Sequence, residues 1–194
     1  MQYSPEDYYP RIGMIARWRP VHAGQAKVLR ALRKHADHAF IGIGSSNRYN
    51  ARNPFTLAET EDMLRLTLEG RESALESASY AYTLIPVPDL DDGPRWRVMV
   101  KELFGALDLF VTDNPYVTSL LRDDYRVIRP VELIPSEEYV RINGSMVRSM
   151  MARGERWQDW VEERCAQYIQ QNKLDERFRK EFGLETLALT TVVE

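Results

Sequence analysis

Residues 12–25 read Ile-Gly-Met-Ile-Ala-Arg-Trp-Arg-Pro-Val-His-Ala-Gly-Gln. The run Ile12 to Ala16 is apolar and short enough to be a buried strand, and from about Gly24 the apolar residues Ala26 to His35 recur at helical spacing. A strand that runs straight into a helix opens a βαβ unit. Reading outward, similar short runs lie at Ala39 to Ile43, Tyr80 to Val87, Leu107 to Thr112 and Arg126 to Leu133. Helix-spaced segments separate them at Thr56 to Leu68, Arg95 to Phe104 and Val117 to Leu121. Such alternation predicts an α/β fold, a doubly wound parallel sheet of about five strands joined by right-handed crossovers. Ligands of such sheets bind beyond the carboxyl ends of the strands, here after Ala16, Ile43, Val87 and Thr112.

After Leu133 the pattern changes. Met146 to Met151, Trp157 to Gln170 and Leu174 to Phe182 read as consecutive helices, and the tail LETLALTTVVE is β-prone. The expectation is a single domain, with residues 1–135 as the α/β core and 136–194 as a helical C-terminal extension. The acids, Gly93 and Pro94 mark Asp89 to Pro94 as the flexible stretch.

The chain has 194 residues, 44% of them hydrophobic, which suits one well-cored domain. Its formal charge of -3 comes from interspersed residues of both signs, so no global basic field is available for nucleic acid. Arg17, Trp18 and Arg19 alone make too few phosphate contacts. One cysteine, Cys165, fits a reducing compartment and a packing role. The opening MQYSPEDYYPRIG lacks the basic start and apolar run of a signal peptide, and no stretch has the length of a membrane span, so the expected location is cytoplasmic.

A helix that starts at a strand's carboxyl end presents free N–H groups and a positive dipole end, and Arg17, Arg19 and His22 on the approach suit phosphate oxygens. Residue by residue, the bland alternative is an ordinary loop with solvated arginines. Arg52 and Arg148 alone would be surface charges, Trp96 a core aromatic, and Asp89 a turn residue. His35 and His38 have no metal-ligand spacing, and no metal ligands are expected. Met150, Met151, Trp157, Trp160 and Val161 read as packing.

The spacing of the first loop resembles nucleotidylyltransferases with a His-x-Gly-His motif after the first strand, and more closely archaeal-type nicotinamide-nucleotide adenylyltransferases. Arg17, Pro20, His22 and Gly24 stand in the matching places. Gly44 and Ser45 resemble the family's second-strand exit, and Arg52 with Asn53-Pro54-Phe55-Thr56 its Asp-Pro-Phe-Thr segment. Asp89 and Trp96 resemble its nicotinamide pocket, Asn114-Pro115 follows the fourth strand, and Gly144-Ser145-Met146-Val147-Arg148 resembles a late helix start.

The resemblance implies a Rossmann-like fold and adenylyl transfer from ATP, carried by Mg2+, to nicotinamide mononucleotide, giving NAD and pyrophosphate. His22, Arg17, Arg148 and Gln25 would be catalytic. Gly24, Arg52, Gly144 and Ser145 would bind ATP, with Ser145 capping the late helix. Asp89, Trp96, Gly44, Ser45 and Asn114 would bind the nicotinamide nucleotide. Expected partners are these small nucleotides, not nucleic acid or membrane. The resemblance also leaves a homo-oligomer open, through pairing of the tail Leu184 to Val193 with a neighbour's sheet edge.

Several positions depart from the family pattern. Gln25 stands for the motif's second histidine, Ala16 for glycine, Arg19 for glutamine, Asp113 for glycine and Asn143 for serine or threonine. A neutral Gln25 would weaken phosphate binding by about 1 to 2 kcal/mol. Asp113 would place a negative charge near the base pocket. These changes keep two alternatives in view: a cytidylyltransferase or pantetheine-phosphate adenylyltransferase type with another base or acceptor, and a non-catalytic nucleotide-binding protein.

Overall fold

A computed structural model describes residues 8–69 and 81–191. Tyr80, the expected start of the third strand, lies outside these residues, as do Met1 to Asp7 of the opening stretch and Val192 and Val193 of the tail. The described residues fall into two compact units that interleave along the chain. One comprises residues 8–16, 27–47 and 81–139, and the other 17–26, 48–69 and 140–191.

The first unit holds five parallel strands, β1 (Tyr9–Ala16), β2 (Ala36–Gly44), β3 (Ala81–Val87), β4 (Leu109–Val111) and β5 (Val127–Ile128), in the order β3-β2-β1-β4-β5. The α/β expectation holds, and the order reverses between β1 and β4 as doubly wound sheets require. Register explains why the strands are apolar on both faces. Ile12 pairs with Ala39 and Leu109, and Met14 with Ile41 and Val111, so these buried side chains share one face. Helix α1 (Ala23–His35) buries Val28, Leu29 and Leu32, and the right-handed crossover rule puts it on the face of the sheet opposite the helix that follows β3.

Helices α3 (Gly93–Phe104) and α4 (Pro115–Leu121) supply Val100, Phe104 and Leu121 to a core that contains Ile85, Val87 and Phe110. At Gly42 a side chain would fall 2.5 Å from Ile15 and 2.9 Å from Phe104, so glycine is what lets α3 approach.

Two strands are shorter than expected. β5 stops at Ile128 because Pro130, with no N–H for the ladder, opens a 3-10 turn at Pro130–Glu132. β4 is three residues long, although the Thr112 N–H still donates to the Ile128 carbonyl at 3.0 Å. The stretch Asp89 to Pro94 is tied at both ends. Asn47 holds Asp89, and the Asp92 carboxylate caps α3 by accepting from the Arg95 N–H.

The second unit contains α2 (Leu57–Leu68), α5 (Gly144–Arg153), α6 (Glu163–Gln171) and α7 (Leu174–Thr191). Thr56 and Glu59 form a capping box at the start of α2, and Gly154 ends α5 in the left-handed region at φ 71°. The buried Cys165 thiol bonds the Met63 carbonyl at 3.1 Å and lies 3.3 Å from the Thr67 hydroxyl. Burial pushes it up to about 12, which suits packing over reactivity.

Two expectations fail in this unit. Trp157 to Gln170 is not one helix, because Val161 is extended and bridges His22, so a 3-10 turn at Gln158–Trp160 precedes α6 and leaves Trp160 exposed. The tail is helical as far as Thr191, not a strand. The N–H groups of Leu184 to Thr191 therefore bond along α7 and offer no sheet edge.

Candidate active site

In the helical unit, the segment after β1 turns sharply at Trp18, a fully buried residue with φ 59°. Arg19, expected to face phosphate, points inward and is 2% exposed. Its Nε donates to Thr60 Oγ1 at 3.2 Å and its Nη1 to Asn53 Oδ1 at 3.0 Å. Arg17 is exposed. Gly24 lies in the first turn of α1, where a side chain would come within 3.3 Å of both His22 Nδ1 and the Val140 carbonyl.

His22 and Gln25 cap α1 reciprocally. The Gln25 N–H donates to His22 Nδ1 at 3.3 Å, and the His22 N–H donates to Gln25 Oε1 at 3.4 Å, which is the geometry of a capping box with histidine at the cap. Two consequences follow. With Nδ1 accepting, the proton of the neutral ring sits on Nε2 as an outward donor. With Oε1 accepting, the amide group of Gln25 is oriented so that its Nε2 is left to donate elsewhere. Burial, reinforced by the charge of Arg148, lowers the His22 pKa to about 4, so the ring is neutral near pH 7.

Helix α5 supplies Arg148. Its cap is Asn143, whose Oδ1 accepts from the Met146 N–H at 3.0 Å, so Ser145 is not the cap. Ser145 instead accepts from Arg148 Nη2 at 3.1 Å, while Arg148 Nη1 donates to the Arg19 carbonyl at 2.9 Å. Gly144 makes room for this bend, since a side chain there would lie 2.9 Å from Arg148 Nη1. Arg148 is 7% exposed. Its pKa falls to about 10, first through burial and then through the charges of Arg17 and Arg52. Arg52 sits in a turn held by Asn50 Oδ1, which accepts from the N–H groups of Arg52 and Asn53 at 3.0 Å each. Arg17 and Arg52 thus both act on Arg148, a local concentration of positive charge that suits an anion.

In the sheet unit, Gly44 ends β2 and the buried Ser45 turns the chain at φ 53°. The Ser46 N–H donates to the Val87 carbonyl at 3.2 Å. Asn47 then brackets Asp89: its Nδ2 donates to the Asp89 carbonyl at 3.0 Å, and its Oδ1 accepts from the Asp89 N–H at 2.9 Å. The exits of β2 and β3 are thus locked together, although nothing in the sequence singled out Asn47. Trp96 lies in α3, half-buried against the sheet core. Asn114 caps α4 by accepting from the Tyr116 N–H at 2.9 Å, which leaves its amide nitrogen for other partners. Asp113 pairs with Arg129 at 2.7 Å, so its charge is locally balanced. An open depression is lined by Leu90, Pro94, Arg95, Val98, Met99 and Glu102, none of them a residue expected in the site.

The fold therefore gathers Arg17, His22, Gly24, Gln25, Arg52, Gly144, Ser145 and Arg148 within the helical unit, and Gly44, Ser45, Asp89, Trp96 and Asn114 within the sheet unit. Among the described residues, no group of three or more His, Cys, Asp or Glu could hold a metal ion, and no helix is long and apolar enough to cross a membrane.

No protein-family model matches the chain. Curated relatives do. The nicotinamide-nucleotide adenylyltransferase of Thermococcus onnurineus is 31% identical over 174 residues, with 88% of each chain covered, and that of Pyrococcus furiosus is 32% identical over 167 residues, with 85% of each covered. Among solved structures, a bifunctional NMN adenylyltransferase/ADP ribose pyrophosphatase from Francisella tularensis superposes with a TM-score of 0.67 at 14% identity over 89% of this chain. A second structure of that protein, complexed with AMP and a manganese ion, gives 0.62 at 16% identity, also over 89% of this chain. This chain spans 53% and 52% of those two longer chains, and at such identity the likeness supports the fold alone. The relatives settle the family: this chain belongs to the nicotinamide-nucleotide adenylyltransferases.

Proposed function

We propose that the chain transfers the adenylyl group of ATP to nicotinamide mononucleotide, forming NAD and releasing pyrophosphate. The observation that carries the reading is the convergence on Arg148 of the charges of Arg17 and Arg52, beside the capped start of α1.

A phosphate oxygen of the acceptor attacks the α-phosphorus in line as the bond to pyrophosphate breaks. That oxygen is already anionic near neutral pH, so no side chain has to remove a proton, and catalysis is positioning plus charge stabilisation. Arg148 and the α1 N–H groups not taken by the His22 cap hold growing charge on the transferring phosphate. Arg17 and Arg52 take the pyrophosphate oxygens. His22 contributes a neutral Nε2–H donor, and Gln25 an amide donor oriented by the His22 backbone. A divalent cation, Mg2+ in the cell, arrives on the triphosphate as part of the substrate and neutralises part of its charge. Asp89, Trp96, Asn114, Gly44 and Ser45 are assigned to the nicotinamide nucleotide, and the reaction is placed in the cytoplasm.

The test is chromatographic. Purified protein with Mg-ATP and nicotinamide mononucleotide is expected to yield equimolar NAD and pyrophosphate. Product formed only with CTP, or only with phosphopantetheine, would move the assignment to another acceptor or base.

A further inference from the structure

Arg177, near the start of α7, grips a segment far away in sequence. Its Nη1 donates to Glu59 Oε1 at 2.6 Å and its Nη2 to Glu59 Oε2 at 2.7 Å, a two-point pair between half-buried groups. The same Nη2 donates to the Pro54 carbonyl at 3.2 Å, and the guanidinium lies over the Tyr49 ring, 5.9 Å from its centroid. Glu59 is also the capping-box residue of α2 and accepts from the Thr56 N–H at 2.9 Å. Tyr49 in turn donates to Glu181, one turn further along α7. The residues so held, Tyr49, Pro54 and the Thr56 cap, bracket Arg52 on both sides. The turn itself is fixed from within by Asn50 and, through Asn53, by Arg19.

We infer that Arg177 is a positioning residue for nucleotide binding, clamping the 49–56 segment so that Arg52 is presented to the triphosphate. Its own charge is matched by Glu59, so it acts through the Pro54 backbone and the α2 cap and does not serve as an anion ligand. The α2 end of the clamp is built to last: hydrogen bonds from Arg177 and Thr56 outweigh burial and hold the Glu59 carboxyl below its ordinary range, so it stays ionised. The inference rests on the reading that ATP is the nucleotide bound here.

The test uses Arg177→Met, Arg177→Lys and Glu59→Gln in the full chain. ATP binding is read by calorimetry without acceptor, alongside KM for each substrate, kcat and the melting temperature. Arg177→Met is expected to weaken ATP binding by on the order of tenfold and to leave KM for nicotinamide mononucleotide within about twofold. Arg177→Lys, which keeps the charge and one bond, recovers part of the loss. In an Arg52→Ala background, Arg177→Met adds little further loss, because the group it positions is gone. Additive losses in that double variant, or equal rises in both KM values, would overturn the inference. If Arg177→Met does not fold, Glu59→Gln reads the same clamp, since the glutamine oxygen still serves the cap. A wild type that binds ATP but forms no NAD contradicts the proposed reaction while leaving the clamp testable by calorimetry, whereas an active wild type with unaffected variants contradicts the clamp alone.

Discussion

Arg148 is a buried cation acted on by the charges of Arg17 and Arg52, an arrangement that costs stability and would be relieved by an anion. Arg148→Met should therefore lower turnover by about 10²-fold or more while the protein stays folded, because ending the repulsion offsets part of the cost of the hydrogen bonds lost to the Arg19 carbonyl and Ser145. A variant that loses activity only as it loses its fold would contradict this. Gln25 supports His22 through the reciprocal cap at the start of α1. Gln25→Ala removes the acceptor for the His22 N–H and should cost about 1 kcal/mol of stability together with a fall in kcat. Chemical denaturation and single-turnover kinetics separate the two effects.

The neutral state of His22 also has a signature in pH. Its pKa in the folded protein, about 4, lies below the unfolded value, so between about pH 4 and 6.5 the unfolded chain binds more protons. Stability from the neutral ring is complete above 6.5 and is lost as pH falls towards 4, by up to about 3 kcal/mol. His22→Gln should flatten that part of the stability profile in urea titrations, and an unchanged slope would mean that His22 is not held neutral.

Among the elements, the bracket between Asn47 and Asp89 joins the exits of β2 and β3. Asn47→Ala should raise KM for nicotinamide mononucleotide several-fold while leaving KM for ATP nearly unchanged. Steady-state kinetics with each substrate varied would show it. Asn47 was not legible in the sequence because a lone asparagine after a turn has many uses, and its partner is 42 positions away. Other features were legible for local reasons. The strands ending at Gly44 and Val87 announce themselves by apolar runs, and α2 by the helical spacing from Thr56 to Leu68. Where tertiary pairing overrides local preference, reading fails. Val161 sits in a helix-like pattern but pairs with His22, and the β-branched tail is carried as helix by α7. Arg177 looks like one more solvated charge on α7, and only the fold brings it to Glu59, 118 positions earlier.

At the scale of the whole molecule, a net charge of -3 cannot attract a triphosphate, so affinity has to come from the local arginine group. Mg-ATP at about a hundred times its Kd should stabilise the protein by about 2.7 kcal/mol. The rise in melting temperature should shrink in Arg148→Met, and an equal rise in that variant would place the nucleotide elsewhere. Sequence order at strand exits, with the His22-x-Gly24 spacing, was enough to indicate both family and reaction type. The inward turn of Arg19 and the helix cap at Asn143 were hidden, because each depends on which neighbour a polar side chain meets after folding.

NAD formation from Mg-ATP and nicotinamide mononucleotide, followed for purified wild type beside Arg148→Met, decides whether the arginine group does this chemistry. The wild type is expected to produce NAD and pyrophosphate steadily, and the variant to lose about 10²-fold. An inactive wild type that still binds ATP, or a variant as active as the wild type, would contradict it.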